Sequence, residues 1–408
     1  MSDEQTGRVS AQPVLTVILI LALALRLAAA LALPDQHFGD AEEYRTAGAS
    51  LWATGRLNQP LFMPLYPALI GLTGPGWGQT LVDIALSTAT VALVHQITLT
   101  VFADRTASAL AALVAAIYPY FIFYAVVGLT ETLFIFLLLA TFLCWYRGQF
   151  AAADVFAVLS ILTKPTIDIL VPLLIVYFAL LVHRLSLLQA LRHLAVYAVV
   201  YCVLLLPWWL HNYRDSGTFV RLNSGSGMML YNGNNPLNQT GGALDTDANR
   251  EQFLTIGDPV ARDRVMWTAG MTYIKENPGR FIELAALKFV RFWRLWPHTP
   301  DYAGRLYVAL SLVSFVPVLV MSMSYGLVSS RREIVVVGPI LILMAYFTTI
   351  HMVFAASLRY RLPLEPFLIC FAATALVRIL RCGRAGRAVL AWIADQTTGS
   401  SGSTEVHH

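Results

Sequence analysis

Ten stretches of mostly apolar residues, most of them near the length of a membrane crossing, constrain this chain more than any other feature. A crossing helix needs about 20 such residues. Segments of this kind lie near residues 14–33, 79–101, 106–118, 129–146, 150–163, 168–183, 193–210, 306–327, 334–355 and 362–378. Of 408 residues, 57% are hydrophobic and the mean hydropathy is +0.63, which is too much apolar surface for a water-soluble fold. The expectation is an all-α polytopic membrane protein with about ten transmembrane helices. Segments 106–118 and 150–163 are short, so they either re-enter the same face or have displaced ends.

Orientation follows from Arg and Lys in the short connections, because the cytoplasmic side of a membrane collects positive charge. Arg105, Arg147, His183-Arg184 with Arg192-His193, Arg331-Arg332, and Arg378-Arg381-Arg384-Arg387 occupy every second connection. All five fit one side, with the N-terminus inside as well. The net charge of +4 therefore reports orientation rather than affinity for nucleic acid, and no basic strip interleaved with aromatics suggests such a partner. Arg26 lies inside the first span and only Arg8 precedes it, a poor pattern for a cleaved leader. The first span reads as a retained helix, and Arg26 is expected to pair with an outer-side carboxylate. Cys144, Cys202, Cys370 and Cys382 form no Cys-x-x-Cys pair, which argues against structural disulfides and zinc.

This topology divides the chain into an N-terminal transmembrane module (1–210) with a first external loop (34–78), an external loop domain (211–304), C-terminal transmembrane helices (305–387) and a cytoplasmic tail (388–408), polar and disordered at 397–408. The first loop carries Asp40-Ala-Glu-Glu-Tyr, expected to open an interfacial helix. Asn58-Gln-Pro-Leu-Phe-Met-Pro follows, its prolines starting a second short helix near 65–72. Helix 281–296 reads as interfacial.

Only 13% of residues are charged, so those at the outer ends of spans need a reason. Asp40 can take a proton from a hydroxyl attacking a substrate whose leaving group lies in the lipid, or it can simply start the helix that follows. Glu42, Glu43, Asp83, Glu131, Lys164, Asp168, Arg359, Arg361 and Glu365 continue the set. Lys164, Arg359 and Arg361 run against the positive-inside bias, which suits a phosphate held at the outer leaflet; ion pairs fixing helix ends are the alternative. His95, Asp154 and His351 read first as packing residues. Asn234 and Asn235, in Gly233-Asn234-Asn235-Pro236, are placed either to offer amides to a sugar or to build a plain turn. Asn238-Gln239-Thr240 matches a short glycosylation acceptor pattern.

The residues together resemble the GT-C superfamily of membrane glycosyltransferases, in the branch of protein O-mannosyltransferases and lipid A aminoarabinose transferases. The resemblance rests on Gly39-Asp40, Met63-Pro64-Leu65-Tyr66-Pro67, Leu129-Thr130-Glu131, Leu162-Thr163-Lys164-Pro165-Thr166, Pro207 to Val220 with the Asn234 turn, and Arg359-Tyr360-Arg361-Leu362-Pro363. It implies a GT-C fold and an inverting transfer of a monosaccharide from a polyprenyl phosphate to an acceptor hydroxyl on a glycan, glycolipid or protein. By the same resemblance Asp40 is the general base, Lys164, Arg359 and Arg361 bind the donor phosphate, and Glu42, Glu43, Tyr66, Glu131, Asn234 and Asn235 contact substrate. It also implies a bacterial inner-membrane location with a periplasmic site, and no metal or other cofactor. One departure is visible: Ala41 follows Asp40 where the family often has Asp-Glu. A transporter or flippase of lipid-linked sugars is the rival reading, and a non-catalytic scaffold a second.

Overall fold

The computed structural model describes residues 12–33, 39–57, 62–242, 247–297 and 304–383. Arg8, Pro60, Arg384, Arg387, the external segment's end at Asp301 and the tail 397–408 lie outside them. Among the described residues every regular element is a helix.

The first span is α1 (Gln12–Ala32), followed by α2 (Gly39–Thr54) and α3 (Leu65–Thr73) in the first external loop. Next come α4 (Trp77–Phe102), α5 (Arg105–Ile117), the short α6 (Pro119–Tyr124), α7 (Glu131–Tyr146) and α8 (Phe150–Thr163). A 3-10 turn (Pro165–Ile167) leads to α9 (Leu170–Tyr177), which runs on through a π turn over Phe178–Val182. The long α10 (Leu187–Ser216) carries the chain back out. Four external helices follow, α11 (Ser226–Gly233), α12 (Asp247–Leu254), α13 (Pro259–Glu276) and α14 (Pro278–Phe292). The chain ends in α15 (Arg305–Val328), α16 (Arg331–Val353), the one-turn α17 (Leu358–Arg361) and α18 (Glu365–Cys382).

Each of the ten apolar stretches is a helix. Six are long and apolar enough to cross a membrane, and 105–117, 131–146, 150–163 and 170–182 are shorter. Proline explains two of the short ones. It lacks an amide hydrogen and pushes the preceding residue out of the helical region. Tyr118 before Pro119 (ψ 116°) separates α5 from α6, and Lys164 before Pro165 (φ −143°, ψ 120°) ends α8.

Small side chains let backbones approach closely where lipid supplies no hydrophobic drive. In α5, Ala107, Ala111, Ala112, Ala115 and Ala116 are fully buried, and this face packs on α4 and α18. α7 is buried almost all round, as befits a helix at the centre of a bundle. Among the described residues Arg26 meets no carboxylate, contrary to expectation. Its guanidinium donates to Ser87 Oγ (2.7 Å) and to the carbonyls of Ala116 (3.0 Å), Ala115 (3.4 Å) and Ala22 (2.9 Å). A buried cation is thereby satisfied by the C-terminal end of α5, where the helix dipole is negative.

The basic connections gather at one end of the bundle. Arg381 pairs with Asp104, which also caps α5 through the amides of Thr106 and Ala107. Arg378 pairs with Glu333 at 2.5 Å, Arg147 donates to Gln96 (2.7 Å) and His183 bonds Trp145 O (2.7 Å). The outer-end acids and bases lie at the opposite end, as the charge pattern requires. The external helices form a unit with its own small core of Tyr231, Phe253 and Met266. α11 lies hard against α13, since a Cβ on Gly227 would stand 1.9 Å from Asp263 O.

Candidate active site

The first loop is seated by glycine and by a buried hydrogen-bond chain. α2 and α3 touch backbone to backbone: a Cβ on Gly48 would come within 2.8 Å of Pro67 O, and one on Gly71 within 2.9 Å of Gly48 O. Tyr66 donates to Asp83 Oδ2 (2.6 Å) and receives Gln79 Nε2 (3.0 Å), tying α3 to α4. Tyr66 is fully buried; it anchors the loop and does not reach substrate, contrary to expectation. Tyr44 lies on Phe62 and Tyr66 at centroid distances of 4.6 and 5.6 Å, and burial pushes its phenol above the usual range.

With α2 so placed, Asp40 in its first turn points to the bundle. Asp40 Oδ2 meets Arg359 Nη1 at 2.5 Å. Arg359 Nε also pairs with Glu131 Oε1, and Lys164 Nζ meets that same oxygen at 2.5 Å. Four segments distant in sequence thus converge: the start of α2, the start of α7, the end of α8 and the start of α17. The roles differ by burial. Glu131 is 0% exposed, Lys164 and Arg359 are about a fifth exposed, and the Asp40 side chain is 53% exposed. Glu131 does not line the adjoining cavity and is fully buried, unlike the substrate contact expected of it; it holds two cations side by side that would otherwise repel.

The cluster opens on a cavity of about 1060 Å³ lined by Asp40, Glu43, Tyr44, Lys164, Arg359 and Tyr360, and across from them by Arg221, Asn223 to Ser226 and Met266 of the external segment. The lining of α2 follows helical spacing. Asp40, Glu43 and Tyr44 are i, i+3 and i+4 and share a face, whereas Glu42 points away, 72% exposed and paired with Arg45 at 3.4 Å. The same geometry decides Arg361. Two residues apart on a helix, side chains diverge by about 200°, so with Arg359 facing the cavity Arg361 faces the interior. It is fully buried there, pairs with Glu365 (2.8 Å), donates to Arg294 O (2.6 Å) and lies over the Phe315 ring. It does not face the cavity, and Glu42 does not contact it either.

The Asn234 turn is structural. Asn234 Nδ2 donates to Leu230 O (2.9 Å) and Val353 O (2.8 Å), and Asn235 Nδ2 to Tyr231 O (2.8 Å). Both are fully buried, and a Cβ on Gly233 would sit 1.8 Å from Phe354 O, so the turn clamps the external unit onto the end of α16. Asn238 is buried with its amide on three carbonyls, which leaves it no access to a glycan. Lys288 joins the clamp through Asn234 Oδ1 (2.8 Å) and Val353 O (3.1 Å), and burial lowers its ammonium to about 7.

His95 is the expected packing residue, bonded to Ser108 (3.3 Å), and Asp154 is buried without a hydrogen-bond partner. His351 differs from expectation: it is stacked on Tyr360 (4.7 Å) and lines the cavity. Sequence reasoning passed over Arg221, one of several arginines in the 211–304 segment, and no local pattern sets it apart from the others. No group of three or more metal-ligating side chains occurs among the described residues.

No family model and no curated protein matches the sequence. Solved structures do. The archaeal oligosaccharyltransferase AglB from Archaeoglobus fulgidus, in complex with an inhibitory peptide and a dolichol-phosphate, superposes with a TM-score of 0.60 at 14% identity, over 97% of this chain and 52% of that one. The apo form of the oligosaccharyltransferase from the same organism gives 0.56 at 16% identity, over 94% and 52%. The chain spans about half the length of these structures. ArnT from Cupriavidus metallidurans bound to undecaprenyl phosphate overlays at only 0.44, with 15% identity, over 96% and 81%. Ten apolar helices, a first loop of two short helices and an overlay that takes in nearly the whole chain give this protein the membrane fold seen in those oligosaccharyltransferase structures.

Proposed function

We propose that the chain is a membrane glycosyltransferase that moves a monosaccharide from a polyprenyl phosphate to an acceptor hydroxyl at the external face of the bilayer. The observation that carries this reading is the convergence of one solvent-reaching carboxylate, Asp40, with two cations fixed on a buried third party, Glu131. That is the set an inverting displacement needs. A phosphate monoanion binds Lys164 and Arg359, which stabilise the charge that grows on it as the bond to the anomeric carbon breaks. The acceptor oxygen forms the new bond from the opposite face, its proton passes to Asp40, and the prenyl phosphate leaves with the bonding electron pair.

The pairing of Asp40 with Arg359 belongs to this cycle. An arriving phosphate competes with Asp40 for the Arg359 guanidinium, so donor binding both seats the leaving group and frees the carboxylate to meet the acceptor hydroxyl. Solved proteins of this fold binding a dolichol-phosphate support a prenyl phosphate here by analogy of fold.

The test is transfer of radiolabelled sugar from polyprenyl-phosphate donors to candidate acceptors by the purified protein. Asp40→Asn is expected to lower turnover by about 10²–10⁴-fold, the range for loss of a general base. Undiminished transfer by that variant would overturn the assignment, and substrate movement across vesicles without chemistry would favour a transporter.

A further inference from the structure

The cavity has a second charged station that this reaction does not use. Asp168 lies four residues beyond Lys164, past the 3-10 turn, and lines the same cavity. Its Oδ1 accepts from Tyr201 Oη (2.7 Å) and its Oδ2 meets Arg221 Nη2 (2.7 Å), while Arg221 Nη1 donates to Tyr201 Oη (3.1 Å). The three groups close a triangle. Within it Asp168 is 6% exposed and Arg221 52% exposed.

The backbone under Arg221 is fixed with unusual care. Asn212 Nδ2 donates to Val220 O (3.4 Å), Trp209 Nε1 to Arg221 O (2.7 Å) and Trp208 Nε1 to Leu222 O (2.5 Å). Three side chains of α10 thus hold three successive carbonyls. An exposed ion pair contributes little to stability, so this scaffolding is better explained by what the guanidinium presents: a rigid plane, pre-organised by Asp168 and Tyr201, facing the cavity. Its distance from the phosphate site is also fixed, because Lys164 and Asp168 share one short segment. The three-residue 3-10 turn Pro165–Ile167 joins them, which sets the two stations on neighbouring stretches of one cavity wall.

We propose that Asp168 and Arg221, braced by Tyr201 behind them, read the hydroxyls of the transferred sugar on the edge remote from its anomeric carbon, and that this sugar is neutral. An acceptor and a donor set side by side with no net charge suit a pair of neighbouring hydroxyls. A sugar carboxylate loses to Asp168 what it gains from Arg221, and a sugar ammonium the reverse, so a charge on the sugar draws no net attraction from a pair already neutralised. The inference rests on the polyprenyl-phosphate transferase reading.

The experiment compares binding of bare undecaprenyl phosphate with binding of its glucose, galactose, mannose, glucuronate and aminoarabinose derivatives to the purified full chain. One neutral derivative is expected to bind wild type at least tenfold more tightly than the bare lipid. Arg221→Gln and Asp168→Asn are expected to remove that gain while leaving affinity for the bare lipid within twofold, so that a folding defect, which would weaken both ligands together, is told apart. A charged derivative binding best, equal losses for bare and glycosylated lipid, or no loss in either variant would overturn the proposal. Failure of wild type to bind the bare lipid at all would instead remove the transferase reading on which it stands.

Discussion

Asp40, Glu131, Lys164 and Arg359 form an ion network in which position decides role. Glu131 is buried between two cations, and removing one partner of a buried charge group typically costs about 3–5 kcal/mol, because the others are left uncompensated. Glu131→Ala is therefore expected to lower thermal stability markedly and to abolish prenyl phosphate binding, read by melting and by lipid binding on the same sample. An unchanged melting temperature would show that the network does not hold the bundle's outer end together. The sequence made this chemistry legible because charge is rare in the chain. It left direction illegible: Arg361, Glu42, Tyr66, Asn234 and Asn235 are polar residues in the right segments whose side chains point elsewhere. For Arg361 and Glu42 the helical angle contained the answer, since each lies two residues from a group that faces the cavity. For Tyr66 and the asparagines the partners are Asp83 and backbone carbonyls, which no local pattern announces.

At the scale of elements, prolines place Lys164 at the end of α8, and the Gly48–Gly71 contact lays α2 on α3. Gly48→Leu is expected to part these helices, because a side chain there meets Pro67 O and Ile70, and so to lose transfer while the far bundle stays folded by circular dichroism. The external unit is clamped by Lys288, whose ammonium lies at about 7, pushed down by burial. In an unfolded chain lysine titrates near 10.4. Between these values the unfolded state binds the extra proton, so the clamp strengthens as pH rises from about 7 to about 10 and gains nothing from this group below 7. Lys288→Met is expected to flatten that pH dependence, measured by proteolytic release of the external segment at pH 6, 8 and 9.5; an unaltered slope would show that Lys288 does not set it. The spans were legible as elements because apolar length is a local property. Their packing order was not, and the interior positions of α7 and α18 come from tertiary fit among small and aromatic side chains.

For the molecule as a whole, the charge pattern separates two ends. One gathers the arginines of alternate connections, the other an active cluster roofed by the external helices. On the proposed reading Lys164 and Arg359 supply the positive charge that a leaving phosphate needs, and we expect transfer to survive EDTA and to gain less than twofold from added Mg²⁺ or Mn²⁺; loss on chelation with recovery by either ion would contradict this. The helical fold was readable from hydropathy, and the gathering of the basic connections at one end from their Arg and Lys, whereas the cavity's far wall was not, since Arg221 reaches it through Trp208, Trp209 and Asn212 of α10.

Asp40 and a lipid phosphate compete for Arg359 on the proposed reading, and equilibrium binding of undecaprenyl phosphate to the purified protein measures that competition directly. Asp40→Asn is predicted to bind the lipid about three- to fivefold more tightly than wild type, the scale of one partly exposed ion pair, with Glu43→Gln within twofold and Arg359→Gln at least tenfold weaker. Equal affinities for wild type, Asp40→Asn and Arg359→Gln would contradict it.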